Sequence, residues 1–126
     1  MTVDKMPAQL ILVIESDEHM RSALQDLLRM HGYHVLLAED GLVGMEILQK
    51  EAIDLLILNI RVPYVNGLAL ISLAREHVPG LPIICMSSHG HCEEKIIQQE
   101  NVDRILSHPF DLQELSAAIK ELLKKS

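Results

Sequence analysis

The stretch LILVIESDEHMRSALQDLLRMHG, residues 10–32, decides how the chain folds. Its first five residues are aliphatic without interruption, as in a strand buried on both faces, and the polarity breaks abruptly at Glu15, Ser16 and Asp17. The spacing then changes. Met20, Ala23, Leu24, Leu27 and Leu28 fall at offsets of 0, 3, 4, 7 and 8, one apolar stripe of a helix, and Gly32 follows as a stop. The stretch reads as a buried strand, a polar tip and an amphipathic helix, one βα unit.

The same pattern recurs downstream. Apolar runs at 35–38, 55–58, 83–86 and 104–106 read as strands, with helical patterns at 41–50, 68–77 and 93–99 between them. The first of these helices is weakened by Gly44, the second is bounded by Asn66-Gly67 and Pro79-Gly80, and the third is the shortest. A closing helix has Asp111 as N-cap and Glu114 three residues on, with Leu112, Leu115, Ala118, Ile119, Leu122 and Leu123 on one face. Lys120, Lys124 and Lys125 suit its C-terminal dipole. Strands alternating with helices of this length imply parallel βαβ units with right-handed crossovers, hence an α/β chain in three αβα layers.

At 126 residues the chain is expected to form one domain over 1–126, with residues 1–8 a flexible tail. Apolar residues make up 48% of it, yet only Tyr33, Tyr64 and Phe110 are aromatic, so the core must be aliphatic. Met20, Met30, Met45 and Met86 read as core filler. The 11 basic and 18 acidic residues give a formal charge of -7, which repels phosphate backbones and argues for a protein partner over nucleic acid. No apolar run approaches the roughly 20 residues of a membrane span, and the first residues lack a signal-peptide core, so a cytoplasmic location is expected. Cys85 and Cys92 have no metal-ligand spacing and read as free thiols.

In a doubly wound sheet, ligands sit at the carboxyl ends of the strands, near the point where strand order reverses. The residues there are Glu15, Ser16 and Asp17 after the first strand and Asn59 at the end of the third. Ser87 and Ser88 end the fourth, and Ser107-His108 the fifth. Asp17 or Glu15 is expected to cap the first helix.

The runs ILVIESDEHMR (11–21), LLILNIRVPYVNG (55–67), PIICMSS (82–88) and ILSHPF (105–110) resemble, in order and spacing, the signature segments of receiver domains from two-component response regulators. The likeness extends from about Leu10 to Leu123. It implies a flavodoxin-like (βα)5 fold with a parallel sheet in the order 2-1-3-4-5, and a cis bond before Pro109. Pro63, Gly67, Pro109 and Phe110 match the family pattern.

Receivers hold Mg²⁺ with a pair of acids after the first strand and take up a phosphoryl group on an aspartate after the third. A Ser/Thr after the fourth strand and a lysine after the fifth contact that group. Against this pattern Glu15 keeps the first acidic position, Ser16 replaces the second, and Asn59 stands at the phosphoacceptor position. Ser87 matches the hydroxyl, His108 replaces the lysine, and Ile105 sits where an aromatic switch residue is common. A carboxamide is neutral and offers phosphorus no anionic oxygen, so Asn59 is a degenerate phosphorylation site. A hydroxyl substitutes poorly for a hard anionic ligand, so Mg²⁺ binding is expected to be weak or absent.

The resemblance therefore implies a pseudo-receiver: a non-enzymatic module of phosphorelay-type signal transduction that acts by binding proteins and not by phosphorylation. Implied partners are a sensor kinase or an effector domain, and a second copy through the face of the fourth helix, fifth strand and fifth helix. Two other readings use the same residues. Phosphotransfer through another acceptor would employ Asp17 or His108. A metal- or pH-responsive sensor would gather His89, His91, His108 and Cys92 around Zn²⁺, against which stands the plain reading of these as solvated loop residues. His19, His31, His34 and His77 are scattered and suit surface or cap roles. Flavin or nucleotide binding is disfavoured, because Glu15-Ser16-Asp17 presents negative charge to an anion.

Overall fold

The computed structural model describes residues 8–87, 97–98 and 102–124. In chain order it runs β1 (Leu10–Ile14), α1 (Glu18–Met30), β2 (His34–Ala38), α2 (Gly41–Lys50), β3 (Leu55–Asn59), α3 (Gly67–His77), β4 (Ile83–Ser87), β5 (Arg104–Ser107) and the closing helix α4 (Leu112–Leu123). The helix expected over 93–99 falls, apart from residues 97 and 98, outside the described residues. All strand pairs are parallel, in the order β2-β1-β3-β4-β5 expected from the receiver resemblance.

The period of two along each strand divides the core into two halves. Leu12, Ile14, Leu56, Leu58, Ile83 and Cys85 point to the side covered by α2 and α3, where Leu48, Leu70, Ile71 and Ala74 meet them. Ile11, Val13, Leu55, Ile57, Ile84 and Met86 point the other way, onto Leu24 and Leu28 of α1 and Leu115, Ile119 and Leu122 of α4. The largest fully buried side chains are all leucine or isoleucine, as the poverty in aromatic residues requires. Each such side chain contributes about 1.5–3 kcal/mol on burial, which is why the three central strands read as unbroken apolar runs.

Two expectations about the core need correction. Met30 ends α1 and is 78% exposed, so it fills no core. Leu112 opens α4 and is 41% exposed: helical side chains lean toward the N-terminus, and at the first position there is no preceding turn to lie against. Met20 and Met45 are partly buried and Met86 fully, as expected.

The crossover from β3 to α3 carries the one backbone strain among the described non-glycine residues. Tyr64 has φ 75°, in the left-handed region, and its side chain is 79% exposed. Left-handed backbone costs an L-residue with a Cβ roughly 1–2 kcal/mol, and an exposed ring recovers little of it by packing. Tyr64→Gly is therefore expected to stabilise the chain by about 1 kcal/mol, read as a higher midpoint in urea unfolding. An unchanged or lowered midpoint would show that the ring has packing partners that offset the strain.

Candidate functional site

The order β2-β1-β3 reverses the direction of winding between β1 and β3, and that crevice is where this topology places ligands. Ile14 pairs with Leu58, so the next residues along, Glu15 and Asn59, face each other across the crevice. Glu15 is 1% exposed, and its carboxylate is filled from two sides. Oε1 accepts a hydrogen bond from Nδ2 of Asn59 at 3.0 Å, and Oε2 accepts one from the backbone N–H of Asp17 at 2.9 Å. Oδ1 of Asn59 accepts from the backbone N–H of Arg61 at 2.9 Å. The amide orientation is thereby fixed, since a carboxylate can only accept and a backbone N–H can only donate.

A cation closes this tip from the outside. Nη1 of Arg21, one turn into α1, donates to the main-chain carbonyls of Glu15 and Ser16 at 2.9 and 3.2 Å. Ser16 itself is exposed. Asp17 caps α1: its Oδ1 accepts from the N–H groups of His19 at 2.8 Å and Met20 at 3.2 Å. The N–H groups of Met20 and then His19 hold its carboxyl below the ordinary value of 3.8. A depressed carboxyl contributes its full stabilisation above the unfolded value and loses it as pH falls through the lower folded value. Asp17→Asn keeps a good cap but cannot titrate, so its stability should match the parent at neutral pH and fall less steeply below pH 3.8. Parallel acid-unfolding curves would contradict this.

On the far side of the crevice, Ser87 ends β4 and is fully buried, and its carbonyl accepts from the backbone N–H of His108 at 2.8 Å. The His108–Pro109 bond is cis, as the receiver resemblance implied. The half-buried His108 ring lies with its centroid 4.8 Å from that of Phe110. Ile105 is partly buried and packs toward the α2 and α3 side of the core.

The crevice thus brings Glu15 and Asn59 into contact, ties Asp17 to them through its backbone, and ties Ser87 to His108. Ser88, His89, His91 and Cys92 lie outside the described residues, and the metal cluster drawn from them lies there too. Among the described residues no three His, Cys, Asp or Glu side chains are grouped to hold a metal ion, and no helix is long and apolar enough to cross a membrane. His31 caps the C-terminus of α1 and His77 hydrogen-bonds within α3, the surface and cap roles expected of them. Arg21 was not singled out by its sequence; its only signal is a place in the first turn after the acidic tip. The Arg61 contact is a backbone N–H, which no residue type announces.

The profile of the response regulator receiver domain matches residues 11–120. The chain belongs to this family. As a receiver domain it is a module of two-component signalling, and curated relatives agree. It is 35% identical over 122 residues to the transcriptional activator protein PfeR of Pseudomonas aeruginosa, covering 95% of this receiver and 39% of PfeR. It is 32% identical over 117 residues to the transcriptional regulatory protein CpxR of Escherichia coli, covering 92% of this receiver and 50% of CpxR. The chain therefore spans half or less of the length of these relatives.

Solved receivers superpose along almost their whole length. One from Sinorhizobium medicae is 28% identical, with a TM-score of 0.85 over 94% of this receiver and 97% of that chain. The response regulator TrrA of Thermotoga maritima, solved in complex with Mg²⁺-BeF, is 26% identical, with a TM-score of 0.82 over 91% of this receiver and 99% of that chain.

Proposed function

We propose that this receiver works without phosphorylation at residue 59, as a protein-interaction module of a two-component pathway. The observation that carries the reading is the hydrogen bond from Nδ2 of Asn59 to the buried Glu15 carboxylate. An aspartate at that strand tip would offer a charged oxygen able to attack phosphorus. The amide offers none: its oxygen is neutral and held by the Arg61 N–H, and its nitrogen donates.

The companion groups support the same reading. Mg²⁺ asks for hard anionic oxygens in near-octahedral array. Glu15 stands at the tip of the crevice with both its oxygens already accepting from N–H donors. Ser16 is neutral and exposed, so the residues present do not fit the ion. His108 supplies an imidazole where the family pattern has a permanent cation, and it leans on Phe110. Asp17, the other nearby carboxylate, is committed to the cap of α1, which argues against it as a replacement acceptor.

With no phosphoryl charge to bias it, the conformational population of such a module is set by what binds it. Partners of this class are a sensor kinase, an effector domain or a second copy. The surface proposed for a second copy is the face of the helix expected over 93–99, which apart from residues 97 and 98 lies outside the described residues, together with β5 and the closing helix α4, which carry the Arg104–Glu121 ion pair. PfeR and CpxR are named as transcriptional proteins, and an output of that kind, in the cytoplasm, fits the proposal.

The test is a comparison of amide spectra with and without Mg²⁺ and beryllofluoride. The reading expects the resonances of Glu15, Asn59, Ser87 and His108 to stay in place. A saturable shift centred on them would overturn it.

A further inference from the structure

We infer that the Asn59 amide stands in for the receiver's divalent cation on the Glu15 carboxylate, joining the loop after β1 and the loop after β3 into one brace that needs no ion. The inference rests on the reading of residue 59 given above and adds how the altered site is held.

Three hydrogen bonds run in series through one buried carboxylate. The Asp17 N–H donates to Oε2 of Glu15, Nδ2 of Asn59 donates to Oε1, and Oδ1 of Asn59 accepts from the Arg61 N–H. Asp17 belongs to the first loop and Arg61 to the second, and within this series they are connected only through Glu15 and Asn59. A carboxylate that is 1% exposed must find donors or a cation, because its ionised form is costly to remove from water. Both donors here are N–H groups of the protein itself. No side-chain nitrogen or oxygen among the buried described groups lacks a hydrogen-bond partner.

Arg21 holds the first loop in place. Its Nη1 bridges the carbonyls of Glu15 and Ser16 at 2.9 and 3.2 Å, pinning the same loop from the solvent side. A guanidinium is permanently charged and directional, so it places fixed positive charge next to the Glu15 segment. The electron-pair acceptors that a buried carboxylate needs are therefore supplied by the protein, one by the Asp17 backbone N–H and one by the Asn59 side chain, while Arg21 fixes the loop that carries Glu15. Residue 59 is the link that makes the supply continuous: an aspartate there has no donor for Oε1, and an alanine has neither donor nor acceptor.

A brace differs from three independent bonds in that cutting one link loosens the far end. The test is amide hydrogen exchange on the whole chain without metal. In Asn59→Ala the Arg61 amide loses its acceptor directly, but the Asp17 amide does not touch residue 59. The expected result is roughly tenfold faster exchange at Asp17 as well as Arg61, with the Cys85 amide in β4 unaffected. Faster exchange at Arg61 alone would overturn the inference. Arg21→Ala should likewise speed exchange at Asp17, and no change there would remove Arg21 from the brace.

Should the residue 59 variant fail to fold, the unaltered chain still decides. Millimolar Mg²⁺ should leave Asp17 and Arg61 protection as it was, and added protection would mean that the place of the ion is not taken. Uncoupled exchange without phosphoryl uptake would sink this inference alone, whereas phosphoryl uptake at Asn59 would sink the reading beneath it.

Discussion

Asn59→Asp is expected to destabilise the metal-free chain by about 2–3 kcal/mol and to make its stability respond to Mg²⁺. The substitution is nearly isosteric, so packing hardly changes, and the effect is chemical. Nδ2 now donates to Oε1 of Glu15 at 3.0 Å, and the variant puts a second carboxylate oxygen in its place. A hydrogen bond to a charged group, worth roughly 1.5–3 kcal/mol, is replaced by two acceptors of like charge inside a crevice where Glu15 is 1% exposed. The pair then requires a proton or a cation. Urea unfolding should show a lowered midpoint that millimolar Mg²⁺ partly restores, while the parent midpoint ignores the ion. A variant as stable as the parent without metal would mean that the Asn59–Glu15 bond contributes nothing.

Gly67→Ala should cost about 1–3 kcal/mol, although alanine is the better helix former and residue 67 opens α3. A Cβ at this glycine would lie 2.5 Å from the carbonyl oxygen of Ile60 and 2.9 Å from its Cα. Those atoms are main chain and cannot swing aside, so the loop after β3 must move. Ile60 follows Asn59 directly, and the displacement would be transmitted to the Arg61 N–H that holds the Asn59 amide. Gly44→Ala is the control. Its Cβ would also meet an atom at 2.5 Å, but that atom is the tip of the flexible Ile14 side chain, which can turn away, and the loss should be smaller. A larger loss at Gly44 than at Gly67 would contradict the distinction between backbone and side-chain contacts.

The fold was legible because the signals were of the kind physics makes redundant. Unbroken aliphatic runs marked strands covered on both faces, and stripes at helical spacing marked the helices that cover them. Asp111 was correctly expected as a cap, and of Glu15 and Asp17, one of which was expected to cap α1, Asp17 does so. Misreadings came where residue type was taken without direction. Met30 lies a third of a turn or more round α1 from its buried residues Leu24 and Leu28, and it ends 78% exposed. Leu112 is on the right face but too near the helix start to reach the core.

At the site, the strand-tip residues could be placed from sequence, while their bonding could not. Contact between Glu15 and Asn59, 44 positions apart, depends on β1 and β3 being neighbours in register, which follows from the sheet order and not from either segment alone. Arg21 escaped notice because its targets are main-chain carbonyls, which every residue carries. The left-handed backbone of Tyr64 was equally silent, because no glycine or asparagine stands there to announce it.

Incubating the unaltered chain with acetyl phosphate and Mg²⁺ and weighing it intact asks whether residue 59 can take up a phosphoryl group. No change in mass is expected. A stoichiometric phosphoryl adduct that maps to the side chain of Asn59 would contradict it.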